Sequence, residues 1–117
     1  MTGTAAAHGG FLITTGAWPV LHLRSFERVT GPKVDKWLVR TMGGVLAAIG
    51  VALIAGRHDR SACVLGVGTA AVLAAADVAY ATRRRISRIY LVDAAVELAF
   101  AAAWLVSRRR PRARAAA

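Results

Sequence analysis

The chain has 117 residues, room for a single domain, and its hydrophobic fraction of 56% and mean hydropathy of +0.48 exceed those of ordinary globular chains. Sixteen basic residues against six acidic ones give a net charge of +10, but the basic residues fall in short clusters between long Ala-, Leu- and Val-rich runs, the pattern of membrane loops and not of a soluble nucleic-acid binder. One cysteine, Cys63, excludes a disulfide framework within the chain and is expected to be a small buried helix residue.

The first apolar stretch, Thr4–Leu23 (TAAAHGGFLITTGAWPVLHL), has the length of a membrane span but holds His8, Gly9, Gly10, Gly16, Pro19 and His22. It is expected to be the first and least regular of four membrane helices, with Pro19 near its end and Trp18 at the interface. No basic segment precedes it, so it is not expected to be a cleaved signal peptide. His8 and, further on, His58 are expected to be exposed loop residues. Arg24–Lys36 (RSFERVTGPKVDK) is the one sizeable connection. Gly31-Pro32 marks a turn, Pro32 suits the first position of the next helix, and Phe26, Val29 and Val34 among charges predict a segment lying on the membrane surface.

Three further runs, Trp37–Gly56, Ala62–Thr82 and Ile89–Val106, fall within the roughly 17–25 residues that cross a hydrocarbon core. The links Arg57–Ser61 and Arg83–Arg88 are short, which makes consecutive helices antiparallel neighbours. The fold class is therefore all-α: an integral membrane bundle of four transmembrane helices forming one domain over residues 1–107, followed by a basic, disordered tail over residues 108–117. Rows of small residues at four-residue spacing, Gly44, Ala48, Ala52 and Gly56 in one helix and Ala62, Gly66, Ala70 and Ala74 in the next, are expected to carry close helix packing. Trp37 and Trp104, near predicted helix ends, are expected to anchor at the interface with Trp18.

Four ionisable residues lie inside the proposed spans: Arg40, Asp77, Asp93 and Glu97. Each costs about 2.5–3.5 kcal/mol at mid-span on insertion scales. Asp93 and Glu97 are four residues apart, one turn above the other on a helix face that also holds Tyr90, Phe100 and Trp104. If the last three helices alternate, Arg40, Asp77, Asp93, Tyr80 and Tyr90 all sit toward one membrane face, with Glu97 about 6 Å deeper than Asp93. Two roles are open for this polar cluster. Arg40 could pair with the carboxylates and lock helix register, or the acids could form a proton- or cation-binding site open to one side.

The arginine clusters Arg83, Arg84, Arg85 and Arg108, Arg109, Arg110 are expected to meet lipid phosphates, so the lipid bilayer is the implied partner and no specific nucleic acid is. Basic residues are nearly balanced between the two faces, and the positive-inside rule selects no orientation. Nucleophile-elbow, phosphate-loop, zinc-protease and dinucleotide-loop motifs are lacking, as is metal-ligand spacing; no enzyme activity, cofactor or metal is expected. The preference for Arg over Lys and the abundance of Ala fit a GC-rich bacterial genome.

The stretch RSFERVTGPKVDKWLVRTMGG, with RISRIYLVDAAVEL as a second block, resembles small uncharacterised bacterial membrane proteins of about four helices. The resemblance implies a four-helix membrane fold and no assigned activity. Small multidrug resistance transporters are similar in length, helix number and weak charge bias, but their essential glutamate is in the first helix, where this chain has no acid. The expected function is a non-enzymatic binding or accessory subunit of the bacterial cytoplasmic membrane. The alternative is a minimal proton-coupled transporter working as a homo-oligomer.

Overall fold

In a computed structural model, residues 2–109 are described, with side chains through Ser107, and they form five helices and no strand. These are α1 (Thr2–Leu21), α2 (Leu23–Thr30), α3 (Lys36–Ala55), α4 (Arg60–Thr82) and α5 (Ile89–Arg109). The expected disordered tail lies outside the described residues apart from its first two positions, which continue α5; the side chains of Arg108, Arg109 and Arg110 lie outside them as well. Local chemistry sets the helix ends. The His22 ring nitrogen Nδ1 accepts the Ser25 N–H at 3.2 Å and caps α2, and the Asp59 carboxylate accepts the Ser61 N–H at 3.1 Å and caps α4. At the far end of α4, Arg84 takes a left-handed conformation (φ 59°), so that its N–H reaches Ala81 O and the Arg85 N–H reaches Tyr80 O at 2.9 Å, a Schellman close usually made by glycine.

Pairwise packing organises the bundle: α1 runs along α3, α4 runs along α5, and α1 also touches α4 and α5. Glycines bring α1 and α3 together. A Cβ placed on Gly9 would lie 2.7 Å from the Gly50 carbonyl oxygen, and one on Gly16 would collide with the Gly43 carbonyl; the reverse additions at Gly50 and Gly43 collide equally. Gly9 faces Gly50 and Gly16 faces Gly43, which makes the helices antiparallel. The spacing is seven residues on both, the repeat of a left-handed helix pair. In the other pair, the α4 row Ala62, Gly66, Ala70 and Ala74 is buried, and Gly66 leaves the slot in which the Trp104 indole of α5 lies.

The α3 row expected from four-residue spacing does not make this contact. Gly44, Ala48 and Ala52 face outward, and nothing lies within 4 Å of a Cβ added at Gly44, while Gly56 ends the helix at half-burial. The packed face is Gly43, Gly50 and Leu53, because carbonyl-to-glycine contact at two points a heptad apart brings the backbones closer than alanines would.

Three helices are long and apolar enough to cross a membrane: α3, α4 and residues Ile89–Ser107 of α5. Their outward faces carry bare apolar side chains, among them Val64 at 75% and Val72 at 69% exposure, which suits lipid and not water. Although α1 has 20 residues, it is not among these three, because its His, Gly and Thr content lowers its hydropathy. The links before α3 and after α4 meet on one face. The Lys33 ammonium sits 4.8 Å from the Tyr90 ring centre, and a Cβ on Gly31 would lie 3.6 Å from Ser87.

Two substitutions separate the glycine contacts from the outward row. Gly50→Ala should destabilise the fold by about 1–3 kcal/mol through overpacking. Gly44→Ala should be neutral or stabilise by up to about 1 kcal/mol through helix propensity. Reversible unfolding in mixed detergent micelles measures both, and equal effects would contradict this packing.

Candidate functional site

The buried polar centre joins α1 to α5. His8 is fully buried, Glu97 is 1% exposed, and His8 Nε2 lies 3.1 Å from Glu97 Oε2. On the other side of the imidazole, the Trp104 indole N–H donates to His8 Nδ1 at 3.0 Å. Because an indole can only donate, Nδ1 accepts, and the ring proton resides on Nε2, which donates to Glu97. A second proton at Nδ1 would face the indole N–H and break the chain. Phe100 stacks on the imidazole (centroids 4.4 Å, planes at 16°), and Thr4 and Ser107 hydrogen-bond at 2.9 Å beyond it. Helix geometry supplies this arrangement: Glu97, Phe100 and Trp104 are at i, i+3 and i+7 on one face of α5.

Next to Glu97, α1, α2, α4 and α5, with Leu46 of α3, line a half-open cavity of about 290 Å³ on the side of the two meeting links. Its walls are mostly aliphatic and aromatic, and three carboxyl side chains line it: Asp77 of α4, with Asp93 and Glu97 of α5. Asp77 is 6% exposed and its Oδ2 is buried with no hydrogen-bond partner. Asp93, across the helix pair, is its acidic neighbour and lies within side-chain hydrogen-bonding reach of the Asp77 carboxyl. Among the described residues the acids with a basic partner within 4 Å are Glu97, bonded to the neutral His8 ring, and Glu27, paired with Lys36, so neither aspartate has a cationic partner, and no basic side chain lines the cavity.

The cluster expected from topology is thus brought together only in part. Asp77, Asp93 and Glu97 share the cavity, and Tyr90 lines it, whereas Tyr80 is 46% exposed and does not. Arg40 is exposed and pairs with no carboxylate among the described residues, which removes the role in which it neutralises the cluster. The glycine contacts place α1 beside α3, α1 then meets α5, and from α3 only Leu46 reaches the cavity. Arg83, Arg84 and Arg85 are exposed at the turn after α4.

Two further expectations are corrected. His8 is a wholly buried helix residue and not an exposed loop residue, and Trp104 is fully buried and not an interface anchor. Each satisfies the other's polar atom, a pairing that no local spacing reveals. The segment expected to lie on the membrane surface is partly α2, whose Phe26, Val29 and Thr30 close the cavity. Among the described residues, no group of three or more His, Cys, Asp or Glu side chains is placed to hold a metal ion. No protein-family model, curated protein or solved structure matches the chain.

Breaking one member of the chain leaves buried groups without partners. His8→Leu, which leaves the buried Glu97 carboxyl without its donor, should cost about 3–5 kcal/mol, and Glu97→Leu, which leaves a neutral ring N–H bare, about 1–3 kcal/mol. The double variant should cost less than the sum, because both polar groups then leave together. A double-mutant cycle of unfolding in detergent measures the coupling, and strict additivity would show that the pair contributes nothing jointly.

Proposed function

We propose that the chain is a small integral protein of the bacterial cytoplasmic membrane that acts without catalysis, as a binding protein or accessory subunit, with the carboxylate-lined cavity as its working part. The observation that carries this reading is Asp77: a buried carboxyl oxygen without a partner, lining an apolar cavity that holds two more acids and no base. A side chain kept only for packing would not leave such a group bare, since an unsatisfied buried polar atom costs about 1–3 kcal/mol. Groups that destabilise a fold belong to sites that need them. In this reading α1 is a fourth span, held to α3 and α5 along its length, and the basic links and tail meet lipid phosphates. The outward Gly44–Ala48–Ala52 row offers a close-packing face for a second copy or another membrane protein.

A second reading, a minimal proton-coupled transporter working as a homo-oligomer, draws on the His8–Glu97 pair. Glu97 lines the cavity and is bonded to His8 behind it, so a proton arriving from the open side meets a titratable pair. Flux in liposomes under a pH gradient tests it: Glu97→Gln should abolish proton-coupled flux while helicity is retained.

The binding reading itself predicts an inverted stability effect. Asp77→Leu should raise the unfolding temperature in detergent, by the equivalent of about 1–3 kcal/mol. A drop of that size would show that the acids hold the helices together, and would remove the cavity from consideration as a site.

A further inference from the structure

We propose that the cavity takes an organic cation with an apolar body, that Asp77 is its counter-ion, and that the Lys33 ammonium is a tethered cation at the aromatic rim which the ligand displaces. The proposal rests on the cavity being the working part of the protein and adds the class of ligand. Three observations lead to it.

The first is the charge balance of the lining: three carboxyl groups and no basic side chain, with Asp77 94% buried and its Oδ2 unpartnered. An anion is excluded by like charge, and a neutral apolar ligand would leave that oxygen bare. A small hydrated metal ion is a poor match, because most of the wall offers no oxygen to replace its water; no group of three acidic, His or Cys side chains is placed to hold one among the described residues. A weakly hydrated ammonium carrying hydrocarbon satisfies both the acid and the wall.

The second observation is the aromatic content. Phe11, Trp18, Phe26 and Tyr90 all line the cavity, and aromatic faces attract cations that have shed water. The third shows such an attraction already in use. Lys33 Nζ lies 4.8 Å from the Tyr90 ring centre and 5.8 Å from that of Phe26, and it donates to the Thr30 carbonyl at 3.0 Å. Phe26, Thr30 and Tyr90 are all lining residues. The backbone holds this lysine there, because the Lys33 N–H donates to Glu27 Oε2 at 3.2 Å and Lys36 pairs with the same carboxylate at 3.7 Å. A cation on the chain therefore occupies two of the rings that a ligand cation would use, and its removal should free them.

Isothermal titration calorimetry on the full chain in a non-ionic detergent tests the proposal, with benzyltrimethylammonium as the organic cation, benzyl alcohol as the uncharged control and sodium as the inorganic one. Benzyltrimethylammonium should bind saturably and benzyl alcohol should not. Asp77→Asn, which keeps the side-chain shape, should weaken binding by about thirtyfold or more. Lys33→Gln should tighten it by about two- to fivefold. Unchanged binding in Asp77→Asn, or unchanged or weaker binding in Lys33→Gln, overturns the proposal. Sodium binding that depends on Asp77, without binding of the organic cation, overturns the ligand class and leaves the cavity as a site. Absence of any cation binding, with native helicity, removes both the class and the reading beneath it.

Discussion

Glu97 lies eight residues into α5, about 12 Å along the helix axis, with almost no exposure, and an acid so placed must find a donor inside the protein. His8 provides it, and much of the structure follows from that one hydrogen bond. It ties α1 to α5. It sets the imidazole so that Nδ1 points at Trp104, which gives the indole N–H an acceptor in the core. The indole then needs room against α4, and Gly66 leaves it. Four residues from three helices therefore form one continuous chain of requirements, in which each polar atom is answered and the large side chain fits because its neighbour has none.

The contrast with Asp77 is instructive. Both acids line the same cavity, yet one is hydrogen-bonded within the protein and the other carries a buried oxygen with no partner. Structural economy explains Glu97, whereas the neighbour that Asp77 finds across the helix pair is another acid, Asp93. An apolar side chain at position 77 would continue the buried small-residue row of α4 without an unsatisfied oxygen. In the proposed reading the carboxyl at that position is directed at a guest, and Lys33 stands at the rim beside Tyr90 and Phe26.

The links between helices shape this site as much as the spans do. The segment between α1 and α3 folds its short amphipathic helix over the cavity, and its turn, with Gly31 in a left-handed conformation (φ 97°), approaches the link after α4. Arg84 closes α4 in a conformation usually left to glycine, holding that second link tight against the helix end. Phe26, Val29 and Thr30 of α2 consequently form one wall of the cavity, and Glu97, held from behind by His8, forms another.

The all-helical fold and the three apolar spans were legible in the sequence, because hydropathy, loop length and helical periodicity are local properties. The grouping of Glu97 with Phe100 and Trp104 on one face of α5 was legible for the same reason. Which helix each face meets was not. The heptad glycines Gly9 and Gly16, with Gly43 and Gly50, are present in the sequence, but only their mutual contact shows that they outcompete the Gly44–Ala48–Ala52 row. That choice sets α1 beside α3, leaves Arg40 outside the cluster and brings His8 to Glu97. Composition determined that this chain is built for an apolar surrounding. Tertiary packing decided which acid has a partner, since a partner comes from another helix and depends on how closely two backbones approach.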